Sequence, residues 1–216
     1  MSTGDPDAFA RALAARLARD FGVRPGARRV IGVAGESGSG KTVTATGLAR
    51  ALADAGAPTA VIHQDDYFVR PPRTNHEHRR GDLSSVGPQE VRLELLAEHV
   101  ADFRAGRDGV VAPRVDYPAN RFVSQRYDFA AAGALVVEGT YVLGLPDLDV
   151  RIFLAATHAD TADRRRERAR DIHEPFVDQV LAIEHDIISR QAAVADLIVD
   201  RDFTVRSGPG HRTSTR

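Results

Sequence analysis

The chain has 216 residues, with 29 Lys plus Arg against 30 Asp plus Glu and a formal net charge of −1. Scattered, nearly balanced charge gives no electrostatic footprint for nucleic acid or a membrane surface. The absence of cysteine excludes a disulfide framework, a thiol nucleophile and cysteine metal sites. The longest apolar stretch, around residues 130–137, is too short to cross a bilayer, so a cytoplasmic protein with a small-molecule partner is expected.

Residues 5–21 place Phe9, Leu13 and Leu17 four apart, which predicts an amphipathic helix ended by Gly22 and Pro25-Gly26 and packed over an edge of a sheet. This N-terminal helix, residues 1–26, precedes a nucleotide-binding core at 27–203. The core opens on the β-rich run Arg29-Val30-Ile31-Gly32-Val33-Ala34. There follows Gly35-Glu36-Ser37-Gly38-Ser39-Gly40-Lys41-Thr42, which fits the phosphate-binding pattern G-x-x-x-x-G-K-[ST]. Residues 43–55 then read as a helix, completing the strand, glycine loop and helix that the motif requires. Lys41 is the only lysine; the other 28 of the 29 lysines and arginines are arginine. A P-loop needs a compact ammonium to reach the β- and γ-phosphates, and a planar guanidinium fits that space poorly. Gly35 through Thr42 are therefore the candidate ATP contacts, with the Thr42 hydroxyl on Mg²⁺.

A second strand is predicted at 59–63 and is followed by Gln64-Asp65-Asp66-Tyr67-Phe68. Adjacent carboxylates at the carboxyl end of a parallel strand point into the crevice where such sheets bind ligands, so Asp65 or Asp66 is a candidate base. Residues 69–129 break the alternation of strands and helices: they are rich in Pro, Arg, Asn and Asp, and apart from a helix at 88–104 they read as irregular. Aromatic residues interspersed with charges, from Tyr67 onward, mark this segment as an acceptor site. Asp82, Asp116, Tyr117, Asn120 and Arg121 are its candidate ligand-reading groups, and Arg73 or Arg121 could receive an anion. His76 and His78 read as a solvated loop pair.

A third strand at 134–137 leads into Glu138-Gly139, the usual place for a carboxylate that binds Mg²⁺ directly or through water. A fourth strand is expected at 150–154, helices at 158–170 and 176–195, a fifth strand at 197–199, and a flexible tail over 204–216. On the first of those helices Arg166 and Arg170 lie four apart on one face, with Arg165 beside them, and could close over the triphosphate as a lid spanning 158–175. Apolar strands alternating with helices indicate a three-layer α/β/α protein with a covered parallel sheet.

Taken together, Gly35 to Thr42, Gln64-Asp65-Asp66-Tyr67-Phe68, Val137-Glu138-Gly139, the 165–171 stretch and Ala195-Asp196-Leu197-Ile198-Val199 resemble the uridine kinase and phosphoribulokinase family of P-loop kinases. The resemblance implies a five-stranded parallel sheet in the order 2-3-1-4-5, an arginine-bearing lid, and Asp65 as the general base for an acceptor hydroxyl. It implies ATP and Mg²⁺ as cofactors and transfer of the γ-phosphoryl group to an alcohol, with Lys41, Arg166 and Arg170 assisting and a nucleoside or sugar-like acceptor. The Gln64-Asp65-Asp66 run is also similar to that of nicotinamide riboside kinases. The uridine kinases carry an Asp-His-Pro stretch where this chain has Val86-Gly87-Pro88, which predicts that uridine and cytidine are poor acceptors. The alternative is a P-loop regulatory ATPase or nucleotide-binding switch with a protein partner; a guanine-reading Asn-Lys-x-Asp motif is excluded by the single lysine. Homo-oligomerisation stays open.

Overall fold

A computed structural model describes residues 5–157, 160 and 175–211. Its helices are α1 (Pro6–Phe21), α2 (Lys41–Asp54), α3 (Pro72–Gly81), α4 (Leu93–Arg104) and α5 (Pro175–Ile188). Its strands are β1 (Arg29–Gly35), β2 (Thr59–His63), β3 (Val110–Asp116), β4 (Arg121–Tyr127), β5 (Ala134–Gly139), β6 (Val150–Leu154), β7 (Leu197–Val199) and β8 (Val205–Ser207).

The main sheet runs β2-β5-β1-β6-β7-β8, and every pairing except β7 with β8 is parallel. Its strands are apolar on both faces because both faces are covered. Ile31, Val33, Val136, Ile152 and Leu197 pack with Leu13 and Leu17 of α1 and Leu48 and Leu52 of α2. Val30, Leu135, Val137, Phe153 and Ile198 pack with Leu96, Val100 and Phe103 of α4 on the other side. The alternation along each strand sorts residues between two cores, and each large apolar side chain fully buried there contributes roughly 1.5–3 kcal/mol.

Helix α1 starts where the Asp5 side chain accepts from the Asp7 N–H at 3.0 Å with Pro6 in the first turn, and it ends at Gly22, whose φ of 64° is left-handed. Beyond covering the sheet, α1 fastens the C-terminal segment: Arg16 donates to the Val205 carbonyl at 2.6 Å and to the Ser207 hydroxyl at 3.1 Å, and Phe9 meets Phe203. The expected tail from 204 therefore contributes β8, a strand whose pattern is too short to be read without its partner. Among the described residues no helix is long and apolar enough to cross a membrane.

Residues 69–129 are more regular than expected. Pro72 opens α3, in a position where its missing N–H costs nothing, and β3 and β4 form a separate antiparallel hairpin. The helix expected at 88–104 begins only at Leu93, after a 3₁₀ turn at Pro88–Glu90. The hairpin was hidden because Pro113 interrupts β3 and most of β4 faces solvent, so neither strand shows a clean apolar alternation. It is anchored by the Tyr127 hydroxyl, which donates to the Val61 carbonyl at 3.1 Å, and by the stack of Tyr127 on Phe129. The helix expected at 158–170 lies outside the described residues, and the one expected at 176–195 divides into α5 and a 3₁₀ segment, Ser189–Val194.

Candidate active site

Parallel pairing brings three chain segments to one end of the sheet. Val33 of β1 and His63 of β2 both stand opposite Glu138 of β5, and Gly35 stands opposite Leu154 of β6. The glycine loop leaves β1 at that edge and turns into α2 at Lys41. A side chain at position 35 would meet Ser39 Oγ at 2.7 Å and the Leu154 carbonyl at 2.9 Å, while Gly38 and Gly40 hold φ values of 77° and 95°. Only glycine adopts this path without strain, and it leaves backbone N–H groups at a helix N-terminus, a preformed anion site. Ser39 Oγ is buried with no partner of its own in the loop. Lys41 Nζ donates to the Glu36 carbonyl at 3.0 Å, so the ammonium folds back over the loop it serves.

Thr42 Oγ1 donates to Glu138 Oε1 at 3.0 Å, and the same oxygen receives His63 Nδ1 at 2.7 Å. A carboxylate only accepts, so the proton of this pair sits on Nδ1, and the bond raises the His63 pKa against the opposing effect of burial. A hydroxyl beside a buried carboxylate, next to a loop that fits phosphate, is a donor set suited to Mg²⁺ held jointly with phosphate oxygens. Among the described residues no three His, Asp or Glu side chains group into a metal site that the protein would supply alone.

The two adjacent aspartates are separated by their surroundings. Asp66 is buried, and its Oδ1 accepts the Val115 N–H at 2.7 Å, pinning β3 to the turn after β2. Asp65 is exposed and lines the cleft. The neighbouring protein takes some solvation from its carboxyl, the largest influence on it, and raises the pKa; Lys41 acts to lower it and Glu138 to raise it. Gln64 holds the turn itself, donating to Thr140 Oγ1 at 2.9 Å and accepting from the Tyr141 N–H at 2.7 Å. Gly139 lets it approach, since a Cβ there would lie 2.3 Å from Gln64 Cβ. Asp66→Ala is expected to destabilise the protein by about 1–3 kcal/mol, because the Val115 N–H is left buried without an acceptor. An unchanged denaturation midpoint in that variant would refute this structural assignment.

A cleft of about 540 Å³ opens beside the loop, and Ser37, Lys41, Asp65 and Tyr117 line it together. Other residues expected in the site stand elsewhere. Tyr67 is only 1 % exposed and its hydroxyl contacts His99 Nδ1 at 2.6 Å, so it is a core residue and not an acceptor contact. Asp82 caps the short turn Leu83–Ser85 by accepting from Ser84. Asp116 and Arg121 pair at 3.3 Å near the hairpin tip. Asn120 joins that tip to α3, accepting from the Arg73 N–H at 2.8 Å and donating to Thr74 Oγ1 at 3.1 Å. None of these four lines the cleft. Arg165, Arg166 and Arg170 lie outside the described residues.

Sequence reading missed a polar cluster in the same cleft. Arg79 of α3 bonds both oxygens of buried Glu90, at 2.7 Å each, and reaches Glu184 of α5 at 3.0 Å. Asn75 also donates to Glu90, at 2.9 Å. Glu184 is buried, which pushes its pKa up, and Arg79 works against that shift. His76, expected in a solvated loop, lines the cleft from α3 and meets the Phe176 ring edge-on at 5.3 Å.

Residues 30–206 match the phosphoribulokinase / uridine kinase family. The chain belongs to this family. Over 184 residues it is 31% identical to a uridine kinase of Macrococcus caseolyticus (strain JCSC5402), covering 79% of this chain and 86% of that protein. Over 193 residues it is 30% identical to the bifunctional alpha-galactosidase/sucrose kinase AgaSK of Mediterraneibacter gnavus, covering 82% of this chain but 20% of the relative. The fold is similar to that of phosphoribulokinase from Rhodobacter spheroides, with a TM-score of 0.58 at 15% identity over 85% of this chain and 76% of that one. As a member of the family the protein is a kinase, a phosphotransferase acting on a hydroxyl group of a small molecule.

Proposed function

We propose that this kinase transfers the γ-phosphoryl group of ATP to an alcohol of a sugar or nucleoside-like molecule, with Asp65 as general base. The observation that carries this reading is the shared cleft of Lys41 and Asp65, next to a glycine loop whose backbone can wrap a polyphosphate. In this reading residues 35–42 hold the phosphates, and Thr42 and Glu138 hold Mg²⁺, which neutralises charge on the phosphate oxygens when bound. Asp65 accepts the proton of the attacking hydroxyl. Its raised pKa makes it a stronger base than an ordinary aspartate, while the Lys41 ammonium limits the shift. Arg166 and Arg170, with Arg165, would supply donors to the charge that spreads over the transferring group.

Acceptor-dependent ADP release, measured across sugars, nucleosides and their phosphorylated forms, tests the proposal; ADP release indifferent to every acceptor would favour a regulatory ATPase. Uridine and cytidine are expected to be poor acceptors, since Val86 stands where the uridine kinases carry an aspartate. Removing Arg166 and Arg170 together is expected to lower kcat by at least about 10²-fold, the scale of one lost transition-state donor, with a smaller effect on ATP binding. Unchanged kinetics in the double variant would return that stretch to a solvated face.

A further inference from the structure

The cluster that shares the cleft with Asp65 is built more firmly than a tie between helices requires. Glu90 is 2 % exposed and has its oxygens engaged by Arg79, Asn75 and the Gly87 N–H, at 2.7–3.0 Å. These bonds fix the guanidinium through its Nε and Nη2 edge. No bond among the described residues engages Arg79 Nη1, and none engages Glu184 Oε2. Both residues line the cleft. A donor edge and an acceptor oxygen are thus left on two groups joined to each other at 3.0 Å, held in place before any ligand arrives. Asn75 adds a second sign of unused capacity. Its amide N–H faces the Glu90 carboxylate, which fixes the orientation of the group, and its Oδ1 is buried with no partner.

A hydroxyl both donates and accepts, so neighbouring hydroxyls on one molecule match this pairing. A phosphate does not: it cannot donate to Glu184, and here a single guanidinium faces two carboxylates, Glu90 and Glu184. Phe68 and Phe176 line the same cleft, with Arg79 over the Phe68 ring at 5.9 Å and Arg80 over the Phe176 ring at 5.8 Å. Arg70 and Arg73 also line it, and a phosphorylated acceptor would be held by them instead. We propose that Arg79 and Glu184 form the subsite that reads the non-reacting hydroxyls of a neutral polyhydroxylated acceptor. This deepens the kinase reading above and rests on it.

The test is steady-state kinetics of the full chain with ATP and sucrose, fructose, uridine or fructose 6-phosphate as probe. The wild type is expected to phosphorylate a neutral probe, and the sugar and uridine arms tell a free sugar from the ribose of a nucleoside. Glu184→Gln keeps an acceptor for Arg79 but turns an amide toward the ligand. It should raise the KM of the accepted probe about 10- to 100-fold, as expected for a lost hydrogen bond to a charged group, while the KM for ATP stays put. A deoxy analogue of that probe should lose a similar factor on the wild type and little more on Glu184→Gln, a coupling that a purely structural role would not produce. An unchanged acceptor KM in Glu184→Gln, independent losses in the two changes, or turnover confined to fructose 6-phosphate overturns the subsite and leaves the kinase reading standing. No acceptor-dependent ADP from any probe overturns both.

Discussion

Replacing Lys41 by alanine is expected to abolish phosphoryl transfer while the protein stays folded. The only bond its ammonium makes among the described residues is to the Glu36 carbonyl, within the loop itself, so its loss removes no contact with the two apolar cores. What is lost, in the proposed mechanism, is the cation that meets the β- and γ-phosphates. Deleting one preorganised donor to developing charge typically costs about 10²–10³ in kcat, and a full positive charge sits at or beyond the upper end. Lys41→Arg should fare little better, since a planar fork does not fit the space a compact ammonium occupies. Lys41→Ala is also expected to raise the Asp65 pKa further, because Lys41 is the group that most opposes its upward shift. The measurements are turnover with an accepted probe and a denaturation curve. Near-normal turnover with either replacement would remove the P-loop lysine from the mechanism.

Asp65→Asn is expected to lower kcat by about 10²–10⁴-fold, the usual contribution of a positioned base, with ATP affinity nearly unchanged. The choice of Asp65 over Asp66 rests on their surroundings: Asp66 is committed to the Val115 N–H, whereas Asp65 opens on the cleft with Lys41. The pH dependence follows from the direction of the shift. The base works when deprotonated, and the protein around it raises its pKa, so the acid limb of kcat/KM in the wild type should fall at a higher pH than for an ordinary aspartate and should vanish in Asp65→Asn. A larger loss in Asp66→Asn at unchanged stability would move the base to the neighbouring residue.

The phosphate end of the site was legible because its chemistry is local. Gly35 to Thr42 must be contiguous to wrap a phosphate, and the flanking strand and helix carry their own periodicities, so the pattern announces itself along the chain. Asp65 and Glu138 were legible for a related reason: each follows directly on a buried parallel strand, and parallel sheets present such positions on one edge. The acceptor end carried no comparable signal. Arg79 sits in His76-Glu77-His78-Arg79-Arg80, which reads as a solvated run because nothing in it is apolar. Its partners, Glu90 and Glu184, lie 11 and 105 residues away. Conversely, Asp82, Asp116, Asn120 and Arg121 looked suited to a ligand, yet they make local contacts in the turn after α3 and at the hairpin tip and do not line the cleft.

By itself, then, the sequence determined that this protein carries a glycine loop that fits a polyphosphate at the edge of a parallel sheet with carboxylates beside it, since strand periodicity and one contiguous loop are properties of short stretches of chain. Which polar residues of the long intervening segment face the cleft was decided only by tertiary structure. A side chain becomes a ligand-reading group through what is left of its donors and acceptors after its neighbours are satisfied, and those neighbours come from α3, the turn at Pro88–Glu90 and α5, which only folding brings together.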